Sequence, residues 1–279
     1  VSGGIVRALM TEEGRLAEFR QRTADATDGR LQLAEPLVSF VAPASLEAEQ
    51  YRALRHLVER MHRDNGFQVC AVTSASAGEG KTITTLNLAG SLAQSPDARV
   101  LVIDADLHRP TVAKYLGLTR PRLPGLAEAV LHTGHRLSDI VRRIDPLNVS
   151  VLLTGSGSAG SYELLTSPRL EELLLEARRL YDYVLIDTPP VVPLADSRLL
   201  AKIIDGYVVV VAAHKTPRKL LTDAFDLLDT TKLVAVVFNG DDQPLSNYYG
   251  YYGSHDGSTR APDRHASWWR RLLGGDRHR

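Results

Sequence analysis

The chain has 279 residues, 44% of them hydrophobic, and equal numbers of basic and acidic side chains (33 each), giving a formal net charge of zero. That balance gives no electrostatic case for nucleic acid as a partner, and any anionic surface would have to be met by a local patch. A single cysteine, Cys70, excludes a disulfide framework and fits a reducing, cytoplasmic setting.

Taken in chain order, residues 1–44 form an N-terminal extension expected to be poorly structured: Ile5, Leu9, Leu16 and Phe19 share a helical face, but Gly14 interrupts it. From Ser45 to about Asp64 the pattern predicts a helix, with Ser45 as N-cap and Gly66 as the stop. Six short apolar runs follow: "FQVCAV" from Phe67, "RVLVID" from Arg99, "NVSVLL" from Asn148, "DYVLID" from Asp182, "YVVVVAA" from Tyr207 and "LVAVVF" from Leu233. They are rich in β-branched residues and lack polar alternation, as strands buried on both faces do. Helix-period stretches lie between them at Thr82–Gln94, Pro168–Tyr181, Ala195–Ile203 and Thr216–Asp229. Strands alternating with helices predict an α/β domain over residues 45–240, a doubly wound parallel sheet with helices on both faces. Core signals then vanish, and residues 241–279 read as a flexible tail. No run of about 18 apolar residues or cleavable leader is seen, so the chain is expected not to span a membrane.

The first strand runs directly into "SASAGEGKT", Ser74 to Thr82, and then a helix. Its core, Ala75-x-x-x-x-Gly80-Lys81-Thr82, is the phosphate-loop pattern with Ala in place of the first Gly. Gly78 and Gly80 let backbone N–H groups converge on phosphate oxygens, and the helix N-terminus adds positive potential. The binding segment is thus Ala77, Gly78, Glu79, Gly80, Lys81, Thr82 and Ile83, with Lys81 reaching the β- and γ-phosphates and the Thr82 hydroxyl available to Mg²⁺. A glycine-rich turn with a solvated lysine is the bland alternative, and strand before plus helix after weigh against it. Asp104 and Asp106 lie just past the second strand, and Asp187 ends "YDYVLID". Any one of them could be a turn former or helix cap. Together they reach the sheet edge where open parallel sheets bind ligands, beside the phosphate loop. A nucleotide site with Mg²⁺ follows, with Thr82, Asp104, Asp106 and Asp187 as candidate metal residues.

"ASAGEGKT", "VLVIDADLHRP" and "YDYVLIDTPP", in that order, resemble the Walker A, Walker A′ and Walker B motifs of the bacterial tyrosine autokinases of capsule and exopolysaccharide synthesis. "EQYRALR" carries Glu49-x-x-Arg52-x-x-Arg55, similar to the helix by which that family builds rings, and "YYGYY" matches its C-terminal tyrosine cluster, Tyr248, Tyr249, Tyr251 and Tyr252. The resemblance spans Ser45 to Tyr252. It implies a phosphate-loop NTPase fold of the MinD/ParA-like type, with ATP as the nucleotide and catalytic roles for Lys81, Asp104, Asp106 and Asp187. It also implies an oligomer interface at Glu49, Arg52 and Arg55, and phosphorylation of the tyrosine cluster by a neighbouring subunit. The partners implied are a membrane adaptor or polysaccharide co-polymerase with an activating cytoplasmic tail, a homo-oligomeric ring and a tyrosine phosphatase, placing the kinase at the inner face of the cell membrane. Departures from the family pattern are Ala77 for a frequent Pro, "GSYELL" from Gly160 for a motif with Asn-Pro, and His56 for a common Thr.

Two other readings compete. One is an ATP-switched positioning ATPase of the same fold, which would carry a second lysine where this chain has Ser76. The other is a non-catalytic ATP-binding regulator of polysaccharide synthesis. Separately, Trp268, Trp269, Leu272 and Leu273 beside Arg270 and Arg271 suit an anionic membrane or a partner surface, or else a disordered end.

Overall fold

The computed structural model describes residues 32–118, 124–132, 134–156, 160–194 and 196–240. Both the tyrosine cluster and the Trp/Arg-rich terminus lie outside the described residues.

The first long helix, α2 (Leu46–Asn65), begins where the sequence places it: Ser45 Oγ accepts the Ala48 N–H at 3.1 Å, and Gly66 closes the helix in the left-handed region at φ 67°. Among the described residues seven strands follow: β1 (Val69–Ser74), β2 (Val100–Asp104), β3 (Arg142–Ile144), β4 (Val149–Leu152), β5 (Tyr183–Asp187), β6 (Gly206–Ala212) and β7 (Leu233–Asn239). They form one sheet in the order β3-β4-β2-β5-β1-β6-β7. All pairings are parallel except that of β3 with β4. The expected doubly wound parallel sheet is thus present, with one antiparallel strand added at an edge. β3 reads Arg-Arg-Ile and carries no apolar run, so its strand character was invisible; charged side chains suit an edge strand.

Alternation along the strands divides the core into two layers, as a period of two requires. Val69, Ala71, Leu101, Ile103, Val184, Ile186, Val209 and Val211 share one layer with α8 (Pro168–Leu180) and α10 (Arg218–Leu227). Cys70, Val72, Val100, Val102, Leu185, Val208 and Val210 share the other with α2 and α3 (Lys81–Leu92). Short helices α4 (Val112–Tyr115), α5 (Leu126–Leu131), α6 (Leu137–Ile140) and α7 (Ser161–Leu165) lie between α3 and α8, and the helix expected over 195–203 is shorter: α9 (Asp196–Leu199) runs into a 3₁₀ turn at Leu200–Lys202.

Packed structure begins before Ser45. Leu37 is fully buried and heads a short helix, α1 (Val38–Val41). The side chain of Asn87 on α3 accepts the Ser39 N–H at 2.9 Å and donates to the Pro36 carbonyl at 2.8 Å. The Phe40 ring lies over Gly90, where a Cβ would come within 2.8 Å of it. Residues 33–41 were uncommitted in the sequence because the run is short and broken by Glu35, Pro36 and Ser39, so its apolar side chains set no period; a buried amide and a glycine on a distant helix supply the docking surface. Among the described residues no helix is long and apolar enough to cross a membrane.

Candidate active site

The site sits where β1, β2 and β5 end. β1 is buried along its whole length and delivers Ser74 into the phosphate loop. Gly78 and Gly80 adopt φ of 79° and 97°, a region that L side chains avoid, so the loop needs glycine at both positions. A Cβ at Gly80 would also collide with the Asn239 side chain. Helix α3 starts at Lys81, aiming its free N–H groups at the loop's interior. Lys81 is only 7% exposed; burial lowers its pKa, opposed by Asp187, Asp106 and Glu79.

β2 and β5 are neighbours, and Asp104 is the register partner of Asp187. Two carboxylates at adjacent parallel positions stand side by side, because paired strands lie about 4.8 Å apart. Burial, and then the Asp187 charge, push Asp104 up to about 8; backbone N–H groups of Val112 and Asp106 oppose this. Burial likewise pushes Asp187 up to about 7, against the Thr82 hydrogen bond and the Lys81 charge.

The hydroxyl of Thr82 donates to Asp187 Oδ2 at 2.6 Å and lies 2.9 Å from the Thr111 hydroxyl. With its one proton committed to the carboxylate, Thr82 must accept from Thr111. Asp104 accepts the Asp106 N–H at 3.3 Å and the Val112 N–H at 3.2 Å, using both oxygens. Asp106 Oδ1 accepts the His108 and Arg109 N–H groups at 3.2 and 2.9 Å. These two aspartates thus also do the turn-forming work that the sequence left open as an alternative.

Asp187 Oδ1 is buried with no hydrogen-bond partner. An orphaned anionic oxygen beside a phosphate loop fits a cation or its water shell. Among the described residues, no group of three or more His, Cys, Asp or Glu side chains is arranged to hold a metal ion by itself. The combination suits Mg²⁺, which takes one or two protein oxygens and completes its octahedron with water and phosphate. Thr82 and Asp187 are the residues in contact there.

Several functional contacts were not legible in the sequence. Thr111 reaches Thr82, and His108 Nε2 lies 3.1 Å from Asp196 Oδ2, whose Oδ1 accepts the Ser161 hydroxyl at 3.2 Å. Ser161 belongs to the departing "GSYELL" stretch, so that segment is tied to the loop after β2. The one available signal was adjacency: Thr111 follows the "HRP" of the second aspartate motif.

Away from the site, the residues that the sequence suggested for an oligomer interface divide in their contacts. Arg52 pairs with Glu49 on the helix surface and donates to the Pro43 carbonyl at 2.8 Å. Arg55 instead bonds within its own subunit, to Glu59 at 2.7 Å, the Ser91 carbonyl at 2.8 Å and Ser95 Oγ at 2.7 Å. It bolts α2 to α3.

A family model described as an AAA domain matches residues 67–235. The chain is 35% identical over 222 residues to Tyrosine-protein kinase YwqD of Bacillus subtilis (strain 168), covering 79% of this chain and 92% of that protein. It is 30% identical over 234 residues to Succinoglycan biosynthesis transport protein ExoP of Rhizobium meliloti (strain 1021), where 82% of this chain matches 29% of a longer protein. Among solved structures, the chimerical protein CapA2B2 superposes with a TM-score of 0.67 at 27% identity, over 82% of this chain and 98% of that one.

Proposed function

The chain belongs to the bacterial tyrosine kinases, and from that premise we propose that it is an ATP-dependent protein-tyrosine autokinase acting in exopolysaccharide or capsule production. The observation that carries the reading is the meeting of three strand ends: the phosphate loop with Lys81, the Thr82–Asp187 hydrogen bond, and Asp104 in register with Asp187. Relatives that carry this domain are named as a tyrosine kinase and as a polysaccharide transport protein. These names favour catalysis over the positioning-ATPase reading.

Loop N–H groups and Lys81 hold the triphosphate, and the phosphates and the attacking phenol are brought into line. Mg²⁺, when bound against Thr82 and Asp187, supplies charge neutralisation on the phosphate oxygens. A bond forms from the tyrosine oxygen to the γ-phosphorus while the bond to the β–γ bridging oxygen breaks, releasing ADP. The phenol's proton passes to a carboxylate of the Asp104–Asp106 pair as the new bond forms.

The acceptors in this reading are Tyr248, Tyr249, Tyr251 and Tyr252 of a neighbouring subunit. Supporting this, the described domain ends at Gly240, one residue beyond Asn239, whose side chain donates to the Glu79 carbonyl at 3.0 Å. β7, the last described strand before the cluster in sequence, therefore ends beside the phosphate loop. Subunits associate through the exposed Glu49–Arg52 face of α2. A membrane adaptor with an activating cytoplasmic tail recruits the kinase to the inner membrane face, and a tyrosine phosphatase resets it. Mass spectrometry of the protein incubated with ATP and Mg²⁺ tests the reading: phosphate on the cluster is expected, and its absence, with ATP bound, would leave the non-catalytic regulator as the better description.

A further inference from the structure

Glu79 lies inside an anion-binding loop, yet its side chain is 3% exposed. A carboxylate buried beside incoming phosphate is unfavourable unless it performs a task there. Its surroundings name one. Oε2 accepts the Ser76 N–H at 3.1 Å, and Oε1 accepts the Ser76 hydroxyl at 3.2 Å and the Thr216 hydroxyl. Thr216 Oγ1 in turn accepts the Ala212 N–H at 3.1 Å, at the end of β6. The Glu79 carbonyl accepts the Asn239 amide from the end of β7. One residue thus joins the start of the phosphate loop to the ends of two strands.

We infer that Glu79 is a positioning residue that preforms the phosphate loop, with Ser76, Thr216 and Asn239 as its anchors. The inference rests on the reading of the loop as a nucleotide site. Flanked by Gly78 and Gly80, the loop has unusual backbone freedom, and ordering it at the moment of binding would weaken affinity. Glu79 removes that cost by capping the loop's own start and fastening it to the sheet. Ser76 contributes through both its amide and its hydroxyl. It stands at the position where a positioning ATPase would carry its second lysine, so in this chain that position serves the loop internally.

The alternative is that the carboxylate only repels phosphate. The two ideas differ in sign. If Glu79 merely repels, Glu79→Gln binds nucleotide more tightly. If it preforms the loop, the Gln side chain loses the charge and one of the two acceptor oxygens that hold Ser76 and Thr216, and binding weakens.

The experiment measures the Kd of a fluorescent ATP analogue with Mg²⁺, and KM and kcat for autophosphorylation, in wild type, Glu79→Gln, Thr216→Val and Thr216→Ser. Losing a hydrogen bond to a charged group should weaken binding on the order of tenfold in Glu79→Gln and Thr216→Val. KM should rise with kcat nearly kept, since preforming aids ground and transition states alike. Thr216→Ser should restore binding, which a general packing defect would not permit. Tighter or unchanged binding in both Glu79→Gln and Thr216→Val overturns the inference, as does failure of Thr216→Ser to restore it. If Glu79→Gln does not fold, the Thr216 pair decides alone. Failure of wild type to bind the analogue would instead remove the nucleotide-site reading itself.

Discussion

Asp104 and Asp187 are register partners on adjacent parallel strands, so the fold holds two buried carboxylates side by side at the mouth of the phosphate loop. Their folded-state values, about 8 and about 7, lie above the unfolded carboxylate value near 4. Between those limits the folded chain binds more protons than the unfolded one. Their contribution is therefore fully present below about pH 4 and lost as pH rises to about 8. Asp104→Asn removes the charge but also weakens acceptance of the Asp106 and Val112 N–H groups, so its absolute effect is mixed. The pH dependence is cleaner. Thermal melts of the nucleotide-free protein should show the variant gaining on wild type by at least about 2 °C between pH 5 and pH 8.5, while its kinase activity is lost. A constant gap would contradict the buried-pair account.

Lys81→Met keeps an unbranched side chain in a nearly buried position, so folding should survive. The ammonium is the only part removed. Autophosphorylation should fall on the order of a hundredfold or more, the scale expected when one preorganised charge is lost from a transition state. Circular dichroism and melting should remain close to wild type. Retained activity would break the phosphate-loop assignment.

Arg52 and Arg55 should separate assembly from stability. Arg52 is surface-paired with Glu49, whereas Arg55 is bonded to Glu59, Ser91 and Ser95 of its own subunit. Arg52→Glu is expected to yield a smaller species in sedimentation with an unchanged melt. Arg55→Glu should lower stability by about 1–3 kcal/mol, as expected for loss of bonds to a charged group. Equal effects of both on assembly, with no melt change, would place Arg55 at the interface instead.

The sheet and the nucleotide edge were legible because both are written locally. Buried parallel strands appear as short apolar runs, and Lys81, Asp104 and Asp187 stand at the ends of three of them. The anchors were not legible, because they act across the chain: Thr82 meets Thr111 at a separation of 29 residues, Glu79 meets Thr216 at 137 and Asn239 at 160. A threonine or asparagine carries no local signal of such a bond. Arg55 illustrates the converse. Its spacing from Glu49 and Arg52 suggested one common role, but its guanidinium also bonds Ser91 of α3 and Ser95 just beyond it, contacts with no local signal.

Asn87 gives a prediction for the N-terminal segment. On the helix that begins at Lys81, its buried amide accepts the Ser39 N–H and donates to the Pro36 carbonyl of that segment. Asn87→Ala leaves both backbone groups without these partners and should cost about 1–3 kcal/mol. Hydrogen exchange of residues 36–41 should accelerate ahead of the sheet. Unchanged protection there would mean that the segment is held by Leu37 and Phe40 alone.

The central claim is that one subunit phosphorylates the tyrosines of another. The most direct measurement mixes full-length Lys81→Met chain with an active chain lacking residues 241–279, adds ATP and Mg²⁺, and maps phosphate by mass spectrometry. The inactive chain is expected to carry phosphate at Tyr248, Tyr249, Tyr251 and Tyr252, although it cannot modify itself. If those tyrosines stay unmodified while wild-type protein under the same conditions is phosphorylated, transfer occurs within a subunit; if wild type is unmodified even with the adaptor's activating tail present, the kinase assignment is wrong.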